Sequence, residues 1–114
     1  SFLPRLVGRR RALELMLLNP TLSADEALEA GLVTKVVDDD QLAGEAQALA
    51  ASLAAGPTGA FASVKRLVLA SGHETLESQM ELEAAAIITA ATSEDGREGI
   101  AAFLEKRRPV FSGR

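Results

Sequence analysis

A chain of 114 residues with formal net charge −4 has room for one domain, and its acidic balance argues against a nucleic-acid-binding face, which would be basic. Hydrophobic residues make up 47% and charged residues 25%, which excludes disorder, and the absence of Cys excludes disulfides, thiolate metal ligands and a cysteine nucleophile. Much of the apolar fraction is Ala, with Trp and Tyr absent. A fully buried Leu or Phe gains about 1.5–3 kcal/mol and Ala far less, so a thin core and a covering partner surface are expected.

The chain opens without Met on Ser1-Phe2-Leu3-Pro4, an apolar start that reads as the continuation of something longer. Pro4 sets φ for a first helix, in which apolar residues recur at Leu3, Leu6, Val7, Leu13, Met16 and Leu17. Gly8 falls between the two groups, and Asn19-Pro20 ends the run. In "LSADEALEAGL", Ser23 and Glu26 form an S-x-x-E capping box. Asp25 and Glu26 suit the positive end of the helix dipole, and Gly31 suits the position after the C-cap, so a short helix is predicted. "LVTKVV" is β-branched and predicts a short strand near residues 32–37 whose partners the chain does not contain.

Asp38-Asp39-Asp40-Gln41 is an N-cap cluster for a helix with Leu42, Ala46, Leu49, Ala50 and Leu53 on one face, stopped by Gly56-Pro57. The next helix places Phe61, Val64 and Val68 inward and ends at Gly72. The longest helix follows, with Leu76, Met80, Ala84, Ile87 and Ala91 as one stripe. The last has Ser93 as N-cap, acids in its first turn, and Lys106, Arg107 and Arg108 in its last turn before Pro109. The predicted class is all-α with one short strand segment. No linker is long enough to divide domains, and the apolar runs "ALELMLL" and "AAAIITAA" fall far short of the ~20 residues that span a bilayer. With no targeting segment, a cytoplasmic protein is expected.

The common catalytic constellations are missing. His73 sits in the polar turn "SGHET", where a histidine is more often simply exposed. Gly96 and Gly99 in "DGREG" lie inside a helical pattern with no preceding strand, a weak phosphate-loop signal. Glu77, Glu81 and Glu83 read as a solvated helix face. "FLEKRRPVF" stands above this background. It gathers Lys106, Arg107 and Arg108, with Arg114 further on, beside two of the four Phe residues. These residues complement the helix dipole and anchor the tail, or they form a site for a phosphorylated ligand carrying a flat ring.

Together, "LPRLVGRRRALEL", "LSADEALEAGLVTKVV", "DQLAGEAQALAASLAAGP", "VKRLVLAS" and "SEDGREGIAAFLEKRRPVFSG" resemble the C-terminal part of the crotonase superfamily, the enoyl-CoA hydratases and isomerases. The resemblance runs from Leu3 to Gly113 in the family's order and spacing. One departure is Gly96, where family members usually carry a larger residue; a glycine there should soften the start of the last helix by about 1 kcal/mol relative to Ala.

The resemblance implies that residues 1–114 form the family's C-terminal helical, trimer-building domain, without the N-terminal spiral domain. The family's oxyanion-hole N–H groups and proton-moving carboxylates then lie before Ser1, so no catalytic residue and no metal ligand is assigned here. An acyl-CoA thioester is the implied substrate, with no separate cofactor, and a trimer or hexamer the implied assembly. The family motif carries a phosphate contact for the adenosine end of CoA onto Lys106 and a wall near the acyl chain onto Phe103. These two are three apart, so both would project from one side of the final helical turn. Neither role extends to Arg107 or Arg108. "LLNP" tilts the parent toward an isomerase, including the ring-opening type of aromatic-acid degradation. The alternative is a stand-alone, non-catalytic helical interaction module.

Overall fold

The computed structural model describes Phe2–Arg114. Among those residues it holds the helices α1 (Leu3–Leu18), α2 (Ala24–Glu29), α3 (Leu42–Ala54), α4 (Thr58–Ala70), α5 (Leu76–Thr92) and α6 (Glu94–Leu104), and no strand. They fall into two compact units, one up to Ala43 and one from Gly44.

In the first unit, α1 is broken where the spacing of its apolar groups places Gly8, whose φ of 78° and ψ of 158° lie outside any helix. Asn19 ends α1 in the left-handed conformation, its N–H donating to the Leu15 carbonyl at 3.1 Å. Both bonds of the capping box of α2 are formed. Glu26 N–H donates to Ser23 Oγ at 3.2 Å, and Ser23 N–H donates to Glu26 Oε2 at 2.7 Å. The Ser23 backbone N–H foremost, and the Ser23 hydroxyl after it, hold the Glu26 carboxyl below its ordinary range. Gly31, at φ 71°, closes the helix as a Schellman motif, with Gly31 N–H on Leu28 and Leu32 N–H on Ala27. Residues 32–37 do not form the predicted strand. Strand structure exists through pairing, and no described segment offers these residues a ladder.

In the second unit α4 packs on α5 and α5 on α6. Gln79 ties the first pair, its amide N–H donating to the Leu67 carbonyl at 3.3 Å. Phe61 closes the turn into α4 by lying on Gly56, where a Cβ would meet its ring at 2.6 Å. Ser93 is the C-cap of α5 and the N-cap of α6 at once, so the two helices meet without a loop. Gly96 is a consequence of that junction. A Cβ there would fall on the Ala90 carbonyl, so glycine permits the close approach instead of softening the helix.

The expected thin core is observed, with Ala12 and Ala102 as the fully enclosed apolar residues. The stripes predicted to face inward stay open: Val64 and Val68 on α4, and Leu76, Met80 and Ile87 on α5, the last 68% exposed. An amphipathic face needs a second layer, and the described residues supply none for them. Among the described residues no helix is long and apolar enough to cross a membrane.

Candidate functional site

The last helix and the tail beyond it are organised by two acids. Asp95, in the first turn of α6, suits its positive end, Glu98 follows three residues later on the same side, and both reach the chain's final residues. Asp95 is only 6% exposed, yet its carboxylate is occupied. Oδ1 accepts Ser112 N–H at 2.6 Å and Ser112 Oγ–H at 3.3 Å, and Oδ2 accepts Gly113 N–H at 2.9 Å. Its own N–H donates to the Arg114 carbonyl at 2.7 Å. Burying a carboxylate is costly unless it is hydrogen-bonded, and these contacts satisfy it.

Glu98 holds the segment in between. Its Oε1 and Oε2 receive the Arg107 guanidinium at 2.5 and 2.8 Å, and Oε1 also accepts Val110 N–H at 2.8 Å. The Arg107 fork, followed by the Val110 N–H, draws the Glu98 carboxyl down to about 2. Arg107 Nε–H donates to Glu105 at 2.6 Å, and these carboxylates, Glu98 first, raise the guanidinium's own affinity for its proton. Phe111 is half-buried beside Gly99, 3.6 Å from where a Cβ would stand, and acts as the expected aromatic anchor of the tail.

The three cations of the motif are not in the last turn, because α6 stops at Leu104. Its end is a second Schellman motif: Arg107 N–H donates to the Ala102 carbonyl at 3.0 Å and Lys106 N–H to Phe103 at 3.2 Å. The residue in the left-handed position, which is glycine at the end of α2, is here Lys106 at φ 55°. A side chain there costs about 1–2 kcal/mol. Lys106 is exposed, and its ammonium has no hydrogen-bond or ionic partner among the described residues. Phe103, in the last turn, is 83% exposed. Lys106 and Phe103 therefore sit at one helix end, joined by a backbone hydrogen bond, though the helical three-residue spacing does not carry through to Lys106.

The motif's cations separate in the fold. Arg107 is committed to carboxylates, whereas Arg114 lines an open, largely apolar hollow of about 1080 Å³ among α4, α5, α6 and the tail, with Lys65, Arg66 and Phe111. Neither Phe103 nor Lys106 lines that hollow. His73 is exposed in the turn between α4 and α5. Among the described residues no group of three His, Cys, Asp or Glu side chains is placed to hold a metal ion. The sequence reading missed the long reach of Asp95 and Glu98. Acids near a helix start are ordinary, and only their spacing of three before a polar Ser-Gly tail hinted at more.

A sequence model described as enoyl-CoA hydratase/isomerase matches residues 1–114. The 1,2-epoxyphenylacetyl-CoA isomerase of Escherichia coli is 45% identical over 112 residues, covering 98% of this chain and 43% of that protein. The 4-chlorobenzoyl coenzyme A dehalogenase-1 of an Arthrobacter species is 39% identical over 105 residues, covering 92% of this chain and 38% of that one. Among solved structures, an enoyl-CoA hydratase of Geobacillus kaustophilus superposes with a TM-score of 0.92 at 33% identity, covering 98% of this chain and 42% of the other. The chain thus spans less than half the length of the relatives it matches.

Proposed function

The chain belongs to the enoyl-CoA hydratase/isomerase family, and from that premise we propose that residues 1–114 are the C-terminal helical domain of a longer enzyme acting on an acyl-CoA thioester through an enolate. In this reading the domain builds a trimer or hexamer and supplies part of the CoA site. The rest of the enzyme supplies the oxyanion hole and the carboxylates, and the protein works in the cytoplasm. The "LLNP" segment and the likeness to an isomerase favour isomerisation. The likeness to a dehalogenase fits a helical part that serves several reactions.

The observation that carries the site reading is Lys106: an unpaired ammonium held in a strained backbone conformation one residue beyond the C-cap of α6, beside the exposed Phe103. A cation that served only the helix end would gain about 0.3–1 kcal/mol from the dipole, less than the strain of its position. Binding a phosphate gives that strain a use. In the full-length enzyme, Lys106→Ala is expected to weaken binding of a CoA thioester by about 1–2 kcal/mol, the loss of one charge-assisted hydrogen bond. A pantetheine thioester, which lacks the nucleotide, should bind nearly as before. Equal weakening of both ligands, or of neither, would make Lys106 structural.

The assembly reading rests on the open apolar faces. Leu17, Leu49, Val68, Leu76 and Ile87 are each more than half exposed. Patches of this kind on a small chain mark interfaces. Light scattering at micromolar concentration should report association, and a compact, non-associating monomer would count against it.

A further inference from the structure

We infer that Glu98 and Arg107 are positioning residues for Lys106: their ion pair holds the backbone turn that presents the Lys106 ammonium to a phosphate, an inference that rests on Lys106 being the phosphate contact. Arg107, the next residue, is fixed through both its main chain and its side chain. Its N–H is on Ala102 at 3.0 Å, and its guanidinium closes as a fork on Glu98 at 2.5 and 2.8 Å. The same Glu98 carboxylate takes Val110 N–H at 2.8 Å, so the segment 107–110 is tied near both ends to one side chain. Glu105 before it is still in right-handed helical geometry. Lys106 is left to absorb the whole change of direction, at φ 55°.

At the end of α2 the equivalent position is Gly31, which needs no such support. A lysine there is strained, and an exposed ion pair adds little to stability. What the Glu98–Arg107 pair does supply is geometry, because a bidentate guanidinium–carboxylate contact fixes orientation as well as distance. It also leaves Arg107 neutralised, while its neighbours Lys106 and Arg108 keep side chains without an ionic partner among the described residues, Lys106 being the one in the left-handed turn position.

The charges make the test sharp. Glu98 is an anion close to the proposed phosphate site, so removing its charge should strengthen phosphate binding if only electrostatics mattered. The positioning role predicts the opposite sign. In the full-length enzyme, affinities for a CoA thioester and a pantetheine thioester are measured for Glu98→Gln, Lys106→Ala and the double variant. Glu98→Gln is expected to weaken the CoA thioester three- to tenfold and leave the pantetheine thioester unchanged. In the Lys106→Ala background it should have no further effect. Arg107→Lys keeps the charge and loses the fork, so it should reproduce the Glu98→Gln loss. Because Arg107 is on the surface, this variant decides the matter even if Glu98→Gln fails to fold. The inference is overturned if Glu98→Gln, or Arg107→Lys in its place, leaves or tightens CoA-thioester binding while Lys106→Ala weakens it. Equal losses with and without Lys106 would overturn it too. If Lys106→Ala itself changes nothing, the phosphate reading fails first.

Discussion

On its own, the 114-residue chain is expected to turn over neither crotonyl-CoA nor a 3-enoyl-CoA at a rate above the uncatalysed background. In the proposed reading the rest of the enzyme supplies the oxyanion donors and proton-moving carboxylates, and the acids that organise α6 cannot replace them. Both carboxylate oxygens of Asp95 already accept tail donors. Glu98 binds Arg107 and Val110 and is held at about 2, far too acidic to serve as a base near neutral pH. His73 stands exposed in a turn, with no water-excluded cleft around it to strengthen its chemistry. A positioned acid or base contributes about 10²–10⁴-fold and an oxyanion donor about 10²–10³-fold, so the shortfall spans several orders of magnitude. The absorbance of the conjugated enoyl thioester, lost on hydration of crotonyl-CoA and gained on isomerisation of a 3-enoyl-CoA, follows either reaction directly. Measurable turnover by the purified chain would mean that its own residues carry the chemistry.

Gly96→Ala is expected to destabilise the chain by about 1–3 kcal/mol, the range for forcing atoms into a well-packed site. Helix propensity alone gives the opposite sign, a gain of about 1 kcal/mol. Packing decides because the added Cβ would meet the Ala90 carbonyl, with the Ala91 carbonyl carbon at 3.0 Å. These are backbone atoms at the end of α5, and they cannot rotate aside as a side chain would. Gly96 N–H also donates to Ser93 Oγ at 2.9 Å, so moving α6 away would break its N-cap. Denaturant unfolding of the two chains side by side measures the difference. Greater stability in the Gly96→Ala variant would show that the α5–α6 junction relaxes more easily than its geometry implies.

The helix boundaries were legible where the signal is local. Asn19-Pro20, the Ser23–Glu26 box, Gly31 and Ser93 each act within one turn, and each does in the structure what its neighbours in sequence indicate. The end of α6 was misread because Pro109 forbids helix only at itself and just before it. The Schellman bonds of Lys106 and Arg107 close the helix earlier, and no glycine announces them. The family motif implies roles for Phe103 and Lys106, but the left-handed turn at Lys106 is not announced by any glycine, and the neutralisation of Arg107 depends on Glu98, nine residues before it. Likewise, the Asp95 latch joins residues seventeen and eighteen apart, beyond the reach of any periodicity. Which apolar faces stay open was not legible at all, since the helical periodicity that marks a face does not say whether another element packs on it.

The junction at Ser93 sets a limit on how this sequence can change. Because one residue caps both α5 and α6, there is no slack between them to absorb an insertion or deletion. Adding a single residue would turn α6 by about 100° about its axis and advance it about 1.5 Å. Asp95 and Glu98 would then face away from the tail they fasten. Length variation among related chains should therefore gather in the non-helical stretch around residues 32–41 or in the turn between α4 and α5, while the spacing from α5 to the tail stays constant. In evolutionary terms, residues 76–114 are expected to be inherited as one indivisible block of fixed length, and an alignment of related chains with gaps inside it would refute this.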